Sequence, residues 1–157
     1  MRARALLLPL LLVLAAPAVW AQTYQGKVVR VSDGDTLTLL IDRKQVKVRL
    51  TEIDAPESKQ AFGQRARQSL GQLCAGQAAT VRSSGRDKYG RTLGRVECQG
   101  IDANSEQVRR GMAWVYDRYV TDRSLYALQD AARVAHTGLW ADTAPTAPWA
   151  WRAKNKR

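Results

Sequence analysis

One stretch of the chain alternates apolar and polar residues in the manner of β structure. Between residues 23 and 53 apolar side chains recur at every second position, as in Val46, Val48 and Leu50, with basic residues between them. Such alternation places one face of a strand in a core and the other in solvent. Asp-Gly and Asp-Arg-Lys sequences, which favour turns, separate the apolar runs, so the pattern predicts consecutive antiparallel hairpins. The predicted strands cover residues 27–31, 36–41 and 46–50.

The remainder predicts helices and two more strands. Helical spacing of apolar residues predicts helices at 58–76 (with Ser58 as cap), 105–111 and 122–138, and strand-like runs lie at 79–82 and 92–96. The only histidine, His136, falls in the last turn of the third predicted helix, where a helix-end role is expected. This order predicts an α+β fold, a five-stranded OB-fold β-barrel with about three helices packed outside, although an α+β sandwich would give a similar pattern.

The composition is that of a strongly basic folded domain. Among 157 residues, 25 Lys and Arg stand against 14 Asp and Glu, and the formal net charge is +11. This charge excludes an acidic solvating protein, and two cysteines with one histidine are too few for a disulfide-dense miniprotein or a four-ligand Cys/His zinc site. A basic surface of this kind binds nucleic acid, anionic membranes or acidic polysaccharides.

The N-terminal segment is predicted to be a secretory signal peptide. Arg2 and Arg4 precede an apolar run over residues 5–16, and small residues at Val19 and Ala21 suit a cleavage site. The run is shorter than the roughly 20 residues that a membrane-spanning helix needs, which disfavours a membrane anchor. We therefore expect cleavage near Ala21 and release into the periplasm or the medium. The chain then divides into a signal peptide (1–21), a domain (22–142) and a basic tail that contains Pro and Trp (143–157).

Export determines which oxidation state is expected for the two cysteines. Because Cys74 and Cys98 form an even pair in an oxidising compartment, a disulfide between them is the expected state. A catalytic thiol is the weaker interpretation, because the only histidine belongs to a distant helix.

Carboxylates concentrate in two short segments. Asp33 and Asp35 lie at the first hairpin, and Asp54 and Glu57 lie where the third strand ends. The second hairpin folds residue 35 back beside Arg49 and near Asp54. Converging carboxylates repel one another unless a cation lies among them, and their oxygens suit a hard divalent cation. Taken singly, Asp-Gly could be turn chemistry alone, and Asp-Ala-Pro-Glu could simply end a strand and begin a helix.

A second candidate functional segment is the charged loop over residues 86–91, which could bind phosphate and a base. It offers the guanidinium of Arg91, the ammonium of Lys88 and the ring of Tyr89 within four residues. Arginine binds phosphate through two parallel hydrogen bonds, and an aromatic ring can stack on a base. A glycosidase also uses paired carboxylates, but its sugar site would not need two arginines aimed at one point.

In their order and spacing these segments closely resemble the thermonuclease, or staphylococcal nuclease-like, family. The resemblance extends over residues 23–140 and is carried by Asp33-Gly34-Asp35-Thr36, Arg49-Leu50, Asp54-Ala55-Pro56-Glu57, Asp87-Lys88-Tyr89-Gly90-Arg91, Gly111-Met112-Ala113-Trp114-Val115-Tyr116 and Gly138-Leu139-Trp140. It implies an OB-fold nuclease that is secreted, requires Ca²⁺ and accepts DNA and RNA.

The resemblance also implies roles for individual residues. Asp35 and Asp54 would be calcium ligands together with the backbone carbonyl of Ala55, and Asp33 would support the site from outside the ligand sphere. Glu57 would act as general base, or at least order the attacking water. The remaining roles are phosphate binding and charge stabilisation by Arg49 and Arg91, and nucleotide binding by Lys88 and Tyr89.

Two departures from the family pattern bear on these roles. Ala55 stands where the best-known relative has threonine, so a carbonyl ligand remains but a hydroxyl contact is lost. Tyr116 and Tyr119 do not match the spacing of that relative's two tyrosines, and neither is assigned to the site.

We expect a monomer without a membrane anchor that acts on single-stranded or frayed DNA and RNA with little sequence preference. The resemblance implies that the products carry a 3′-phosphate. The alternatives are a non-catalytic OB-fold module that binds nucleic acid or protein, and a cationic protein that acts on membranes. The third predicted helix disfavours the membrane alternative, because its charges are balanced rather than uniformly basic.

Overall fold

Five strands close into a mixed barrel in the computed structural model, which describes residues 22–155. In chain order the strands are β1 (Gln22–Asp33), β2 (Thr36–Ile41), β3 (Lys44–Leu50), β4 (Ile53–Asp54), β5 (Ala78–Arg86), β6 (Thr92–Cys98), β7 (Ile101–Asp102) and β8 (Trp114–Val115). The order β3-β2-β1-β5-β6 is antiparallel throughout, and a parallel pairing of β3 with β6 closes the barrel. The predicted α+β barrel is therefore confirmed. The predicted signal peptide lies outside the described residues.

Helices and a 3₁₀ turn complete the described part of the chain. They are α1 (Gly63–Cys74), α2 (Ala103–Arg109), α3 (Ser124–Val134), the 3₁₀ turn Gly138–Ala141 and α4 (Pro148–Lys154). The sequence pattern predicted about three helices and assigned α4 to a tail; the structure adds this fourth helix. None of the helices within residues 22–155 has the length and apolar character needed to cross a membrane.

The core lies inside the barrel and beneath the helices. Leu37, Leu50, Val81 and Val96 are fully buried, and Leu70 of α1 joins the same apolar cluster. These residues come from the apolar positions of the alternating strands and from one face of the helix, so burial follows the sequence pattern.

The predicted boundaries of the first helix were wrong at its start. The residues after Ser58 form turns, in which the Gly63 amide donates to the Gln60 carbonyl at 3.0 Å. The helix begins at Gly63, where a Cβ would lie only 1.9 Å from the carbonyl oxygen of Glu57. This close approach fixes the Glu57 backbone against the start of α1, which is why glycine is required there.

The third helix is also shorter than predicted. It ends at Val134, and His136 follows it with a left-handed φ of 49°. The placement of His136 in the last helical turn is therefore wrong. Its Nδ1 lies 3.4 Å from the carbonyl oxygen of Trp140, in the connection to the 3₁₀ turn.

The predicted disulfide between Cys74 and Cys98 is present. It joins the end of α1 to the end of β6, with 5.4 Å between the two Cα atoms. Both cysteines are fully buried, so the bond ties the helix to the barrel from inside the core.

Candidate active site

The register of β2 and β3 brings the two acidic segments together. Thr36 pairs with Arg49, and the Leu50 amide donates to the Asp35 carbonyl at 2.8 Å. Asp35 thus lies beside Arg49, as the hairpin pattern predicted. The turn before it is held by Asp33, whose Oδ1 accepts a hydrogen bond from the Asp35 amide at 3.1 Å.

Close packing carries Asp35 onto the second acidic segment. A Cβ at Gly34 would lie 2.7 Å from the Ala55 Cβ and 2.6 Å from the Ala66 Cβ, so the backbone approaches both more closely than another residue would allow. The Ala55 amide then donates to Asp35 Oδ2 at 2.7 Å.

One guanidinium joins the two buried carboxylates. Arg49 Nη2 lies 3.1 Å from Asp35 Oδ2 and 2.9 Å from Asp54 Oδ1, so these two oxygens are at most about 6 Å apart, the sum of the two distances. Arg49 Nη1 is fixed by hydrogen bonds to the carbonyls of Leu50 at 2.5 Å and Ile53 at 3.0 Å. The arginine is therefore held rigidly between the strand end and β4.

Burial makes this arrangement electrostatically costly for Asp35. Desolvation raises the pKa of Asp35 well above its usual range, against the lowering effect of Arg49, and the nearby Asp33 raises it further. A carboxylate in this environment is stabilised by additional positive charge.

A second guanidinium reaches the site from α4. Arg152 Nη2 donates to Asp54 Oδ2 at 2.7 Å, and its Nη1 donates to Asp54 Oδ1 at 3.2 Å and to Glu57 Oε1 at 2.8 Å. The hydrogen bonds to Asp54 and then Glu57 raise the pKa of Arg152 above its already high value. Sequence reasoning missed this residue. The signal that could have found it is Pro148 followed by Trp149, since proline favours the first turn of a helix.

Glu57 lies at the edge of this cluster and is more exposed than the two aspartates. Its side chain is 38% exposed, compared with 2% for the side chain of Asp54. The Gln60 side chain accepts a hydrogen bond from the Glu57 amide at 3.1 Å, which holds the backbone of the turn. Glu57 therefore combines a fixed backbone with a carboxylate open to solvent.

Arg91 and the loop around it are only partly brought to this cluster. Arg91 immediately precedes β6, where Thr92 pairs with Val48, so its Cα is about 8 Å from that of Arg49 by strand geometry. Its Nε donates to Asp87 Oδ2 at 2.7 Å, and no ion pair in the described part of the chain links it to Asp35, Asp54 or Glu57.

The two predicted nucleotide-binding residues lie on the exposed surface of this loop. Tyr89 is 72% exposed, with Lys88 Nζ 5.1 Å from its ring centre and the Arg91 guanidinium 5.7 Å from it. An exposed ring flanked by cations can accept a base on its face.

The chain is similar to known nucleases over most of its length. A sequence model described as staphylococcal nuclease homologue matches residues 47–142. The chain belongs to the staphylococcal nuclease family. An uncharacterised endonuclease of Escherichia coli O157:H7 is 44% identical over 146 residues, covering 92% of this chain and 95% of that protein. A micrococcal nuclease of Shigella flexneri is 42% identical over 164 residues, covering 98% of this chain and 93% of that protein.

Family membership confirms the resemblance found in the sequence and makes the chain a nuclease of the staphylococcal nuclease family. It disfavours the alternative of a non-catalytic module. The matched residues end before α4, so the helix that carries Arg152 lies outside the region by which the family model recognises the chain.

The donor set of the site is compatible with the calcium ion that the resemblance implies. Asp35 and Asp54 present carboxylate oxygens, and the backbone carbonyl of Ala55 follows directly; all are hard oxygen donors, which suit Ca²⁺. Within residues 22–155 no group of three or more His, Cys, Asp or Glu side chains is arranged as a metal site. A calcium ion held here would therefore need further oxygens from water or from a phosphate.

Proposed function

We propose that the protein is an exported, calcium-dependent nuclease that hydrolyses phosphodiester bonds of DNA and RNA with little sequence preference. The observation that carries this proposal is the sharing of Arg49 Nη2 by the buried carboxylates of Asp35 and Asp54, beside the exposed carboxylate of Glu57. The predicted signal peptide supports export to the periplasm or the medium.

Charge neutralisation is the first requirement of phosphodiester hydrolysis, because the anionic phosphate repels nucleophiles. Bound to Asp35, Asp54 and the Ala55 carbonyl, Ca²⁺ would supply Lewis-acid stabilisation of a phosphate oxygen. Arg49 and Arg91 would bind the remaining oxygens and stabilise the charge that gathers on them in the transition state. Arg91 would have to exchange its ion pair with Asp87 for a contact with the phosphate.

Activation of water is the second requirement, and Glu57 is suited to it. Its carboxylate is partly exposed, so water can reach it, and the turn that carries it is fixed against the start of α1. A general base that accepts a proton from water about 3 Å from phosphorus generates the nucleophile in line with the leaving oxygen. By resemblance we propose departure of the 5′ oxygen, which leaves 3′-phosphate products.

Substrate recognition would depend on charge and on stacking. Cleavage of the predicted signal peptide would remove Arg2 and Arg4 and leave a net charge of +9 (23 Lys and Arg against 14 Asp and Glu), which attracts the phosphate backbone. The exposed ring of Tyr89 beside Lys88 offers a face on which any base can stack. Neither contact reads the identity of a base or requires a 2′-hydroxyl. We therefore propose that single strands and frayed duplexes of both DNA and RNA are cleaved by a monomer.

Cleavage of labelled single-stranded DNA by the mature protein tests this proposal. With Ca²⁺ we expect degradation to oligonucleotides that end in a 3′-phosphate, identified by mass spectrometry. With excess chelator we expect degradation to stop, and restored Ca²⁺ should restart it. Undiminished cleavage in chelator would overturn the metal assignment, and 5′-phosphate ends would overturn the direction of attack.

A further inference from the structure

The Glu57 carboxylate is held by a residue of α4, which lies outside the loop that carries Glu57. Its Oε1 accepts a hydrogen bond from Arg152 Nη1 at 2.8 Å. This is the only hydrogen bond made by the Glu57 side chain within the part of the chain that the structure describes, whereas its backbone is fixed by Gln60. A glutamate side chain has three rotatable bonds, so a fixed backbone alone does not fix the carboxylate.

Arg152 is itself held rigidly, because Asp54 binds it through both carboxylate oxygens. The two contacts, Nη2 to Oδ2 at 2.7 Å and Nη1 to Oδ1 at 3.2 Å, form the two-pronged geometry that orients a guanidinium plane. Asp54 is 1% exposed and is bound on its other side by Arg49. The orientation of Arg152 therefore follows from the buried part of the site.

The helix that carries Arg152 is anchored by aromatic packing to β8 and to the residue that follows it. Trp149 of α4 stacks on Tyr116, with 5.3 Å between ring centres and an interplanar angle of 3°, and meets Trp114 edge-on at 5.8 Å. Pro148, at the start of the helix, is buried. Because Trp149 is three residues before Arg152, it lies on the same side of the helix.

Gln60 couples the two segments directly. Its Oε1 accepts a hydrogen bond from the Glu57 amide at 3.1 Å, while its Nε2 donates to the Thr146 carbonyl at 2.6 Å. The loop that carries Glu57 and the chain that leads into α4 are thus joined twice, once through Gln60 and once through Arg152.

We propose that Arg152 is a positioning residue of the nuclease site, which fixes the Glu57 carboxylate against Asp54 so that it can orient the attacking water. The inference rests on the proposed function of Glu57. A general base must be held close to its productive position, and groups that orient a reactive residue commonly contribute 10–100-fold to activity. The region over residues 143–155 is accordingly part of the site rather than a basic tail.

Steady-state cleavage of a single-stranded oligonucleotide in Ca²⁺ separates this role from a structural one. We expect Arg152→Ala to lower kcat about 10–100-fold with KM unchanged within about twofold. Arg152→Lys should retain an intermediate kcat, because an ammonium can contact one carboxylate but cannot bind Asp54 with two prongs. The matched control is Lys154→Ala on the same helix, where the side chain is exposed and kcat should be unchanged.

A double-mutant cycle with Glu57→Gln makes the test specific. If Arg152 acts through Glu57, adding Arg152→Ala to Glu57→Gln should lower kcat by less than about twofold more. Full additivity would overturn the proposal, as would wild-type kcat in a folded Arg152→Ala or Arg152→Lys variant. If Glu57→Gln alone leaves kcat unchanged, it is the proposed role of Glu57 that fails.

Calcium titration without substrate excludes a different role for Arg152. Because its guanidinium contacts both oxygens of Asp54, it could instead obstruct the metal. A positioning role predicts that Arg152→Lys binds Ca²⁺ within about threefold of the wild type by calorimetry. Much tighter binding together with faster cleavage would show an obstructing residue and overturn the proposal.

Discussion

The charged clusters around Arg95 and Arg49 use the same residue types but differ in how burial and hydrogen bonds act on their carboxylates. Arg95 donates to Asp102 at 2.5 Å, to Asp122 at 2.7 Å and to Glu52 at 3.2 Å. Although burial opposes it, hydrogen bonds from the segment Thr121–Asp122 hold the pKa of Glu52 below its usual range. Glu52 and Asp122 of the Arg95 cluster are thus stabilised in their ionised forms by fixed donors.

In the Arg49 cluster, by contrast, the ionised form of Asp35 is destabilised. Burial raises the pKa of Asp35, and Arg49 only partly offsets this effect. The Arg95 cluster therefore stabilises the fold, whereas the Arg49 cluster holds a buried aspartate whose ionised form additional positive charge would stabilise. Perturbed carboxylates of the second kind are typical of functional sites.

The largest change in cleavage rate should come from Glu57, whereas Glu52, five residues earlier, should affect stability instead. Glu57→Gln should lower kcat about 10³-fold, because an amide cannot act as general base. Stability should change little, because the side chain is 38% exposed and the glutamine oxygen can still accept a hydrogen bond from Arg152. Glu52→Gln should instead reduce stability and leave kcat within about twofold. Single-turnover cleavage and urea unfolding of both variants check this; a slow Glu52 variant of normal stability would contradict the division between the clusters.

Replacing Arg95 by an uncharged residue should show that its cluster stabilises the fold. Arg95→Met leaves Asp102, Asp122 and Glu52 facing one another without their counter-charge, which should cost about 2 kcal/mol after allowance for partial exposure. Urea unfolding measures this cost. Below the unfolding transition, cleavage should continue at nearly the wild-type rate, and loss of cleavage without loss of stability would place Arg95 in the site instead.

The smallest effects concern stability, which should change in opposite directions when Asp35 and Asp122 are each replaced by asparagine. In chelator at pH 8, Asp35→Asn should stabilise the protein by about 1 kcal/mol, because the wild type must keep a buried carboxylate ionised. A raised folded pKa means that the wild type recovers this stability as pH falls, so the advantage of the variant should shrink toward pH 4.

Asp122→Asn should behave in the opposite way. Hydrogen bonds from Ser124 and then Arg95 lower the pKa of Asp122, so its contribution to stability is present at neutral pH and is lost as pH falls through the lowered pKa. The variant should be less stable than the wild type at pH 8, and the difference should vanish in acid. Thermal unfolding of both variants over a pH series measures these stability changes. Changes in the same direction for both variants would contradict the difference between the two clusters.

The sequence pattern predicted the part of the site that depends on local order. The alternation of residues 46–50 sets the register that pairs Thr36 with Arg49, and this register alone brings Asp35 to Arg49. The start of α1 was missed because helical periodicity does not reveal the turns before Gly63 or the left-handed φ of 66° at Phe62.

Arg152 was missed for a different reason. It lies 98 positions from Asp54 in the sequence, and no local pattern relates the two residues. Trp149 packs on Tyr116 and Trp114, and Gln60 donates a hydrogen bond to the Thr146 carbonyl; these contacts between segments far apart in the sequence bring α4 to the site. Long-range ion pairs of this kind follow from tertiary structure rather than from propensity.

Calcium binding by matched aspartate variants distinguishes a metal site at the Arg49 cluster from one elsewhere. By titration calorimetry without nucleic acid, we expect the wild type to bind Ca²⁺, Asp54→Asn to lose this binding, and Asp122→Asn to retain it. Calcium binding by Asp54→Asn with wild-type affinity, or equal loss in both variants, would contradict the assignment of the metal to the Arg49 cluster.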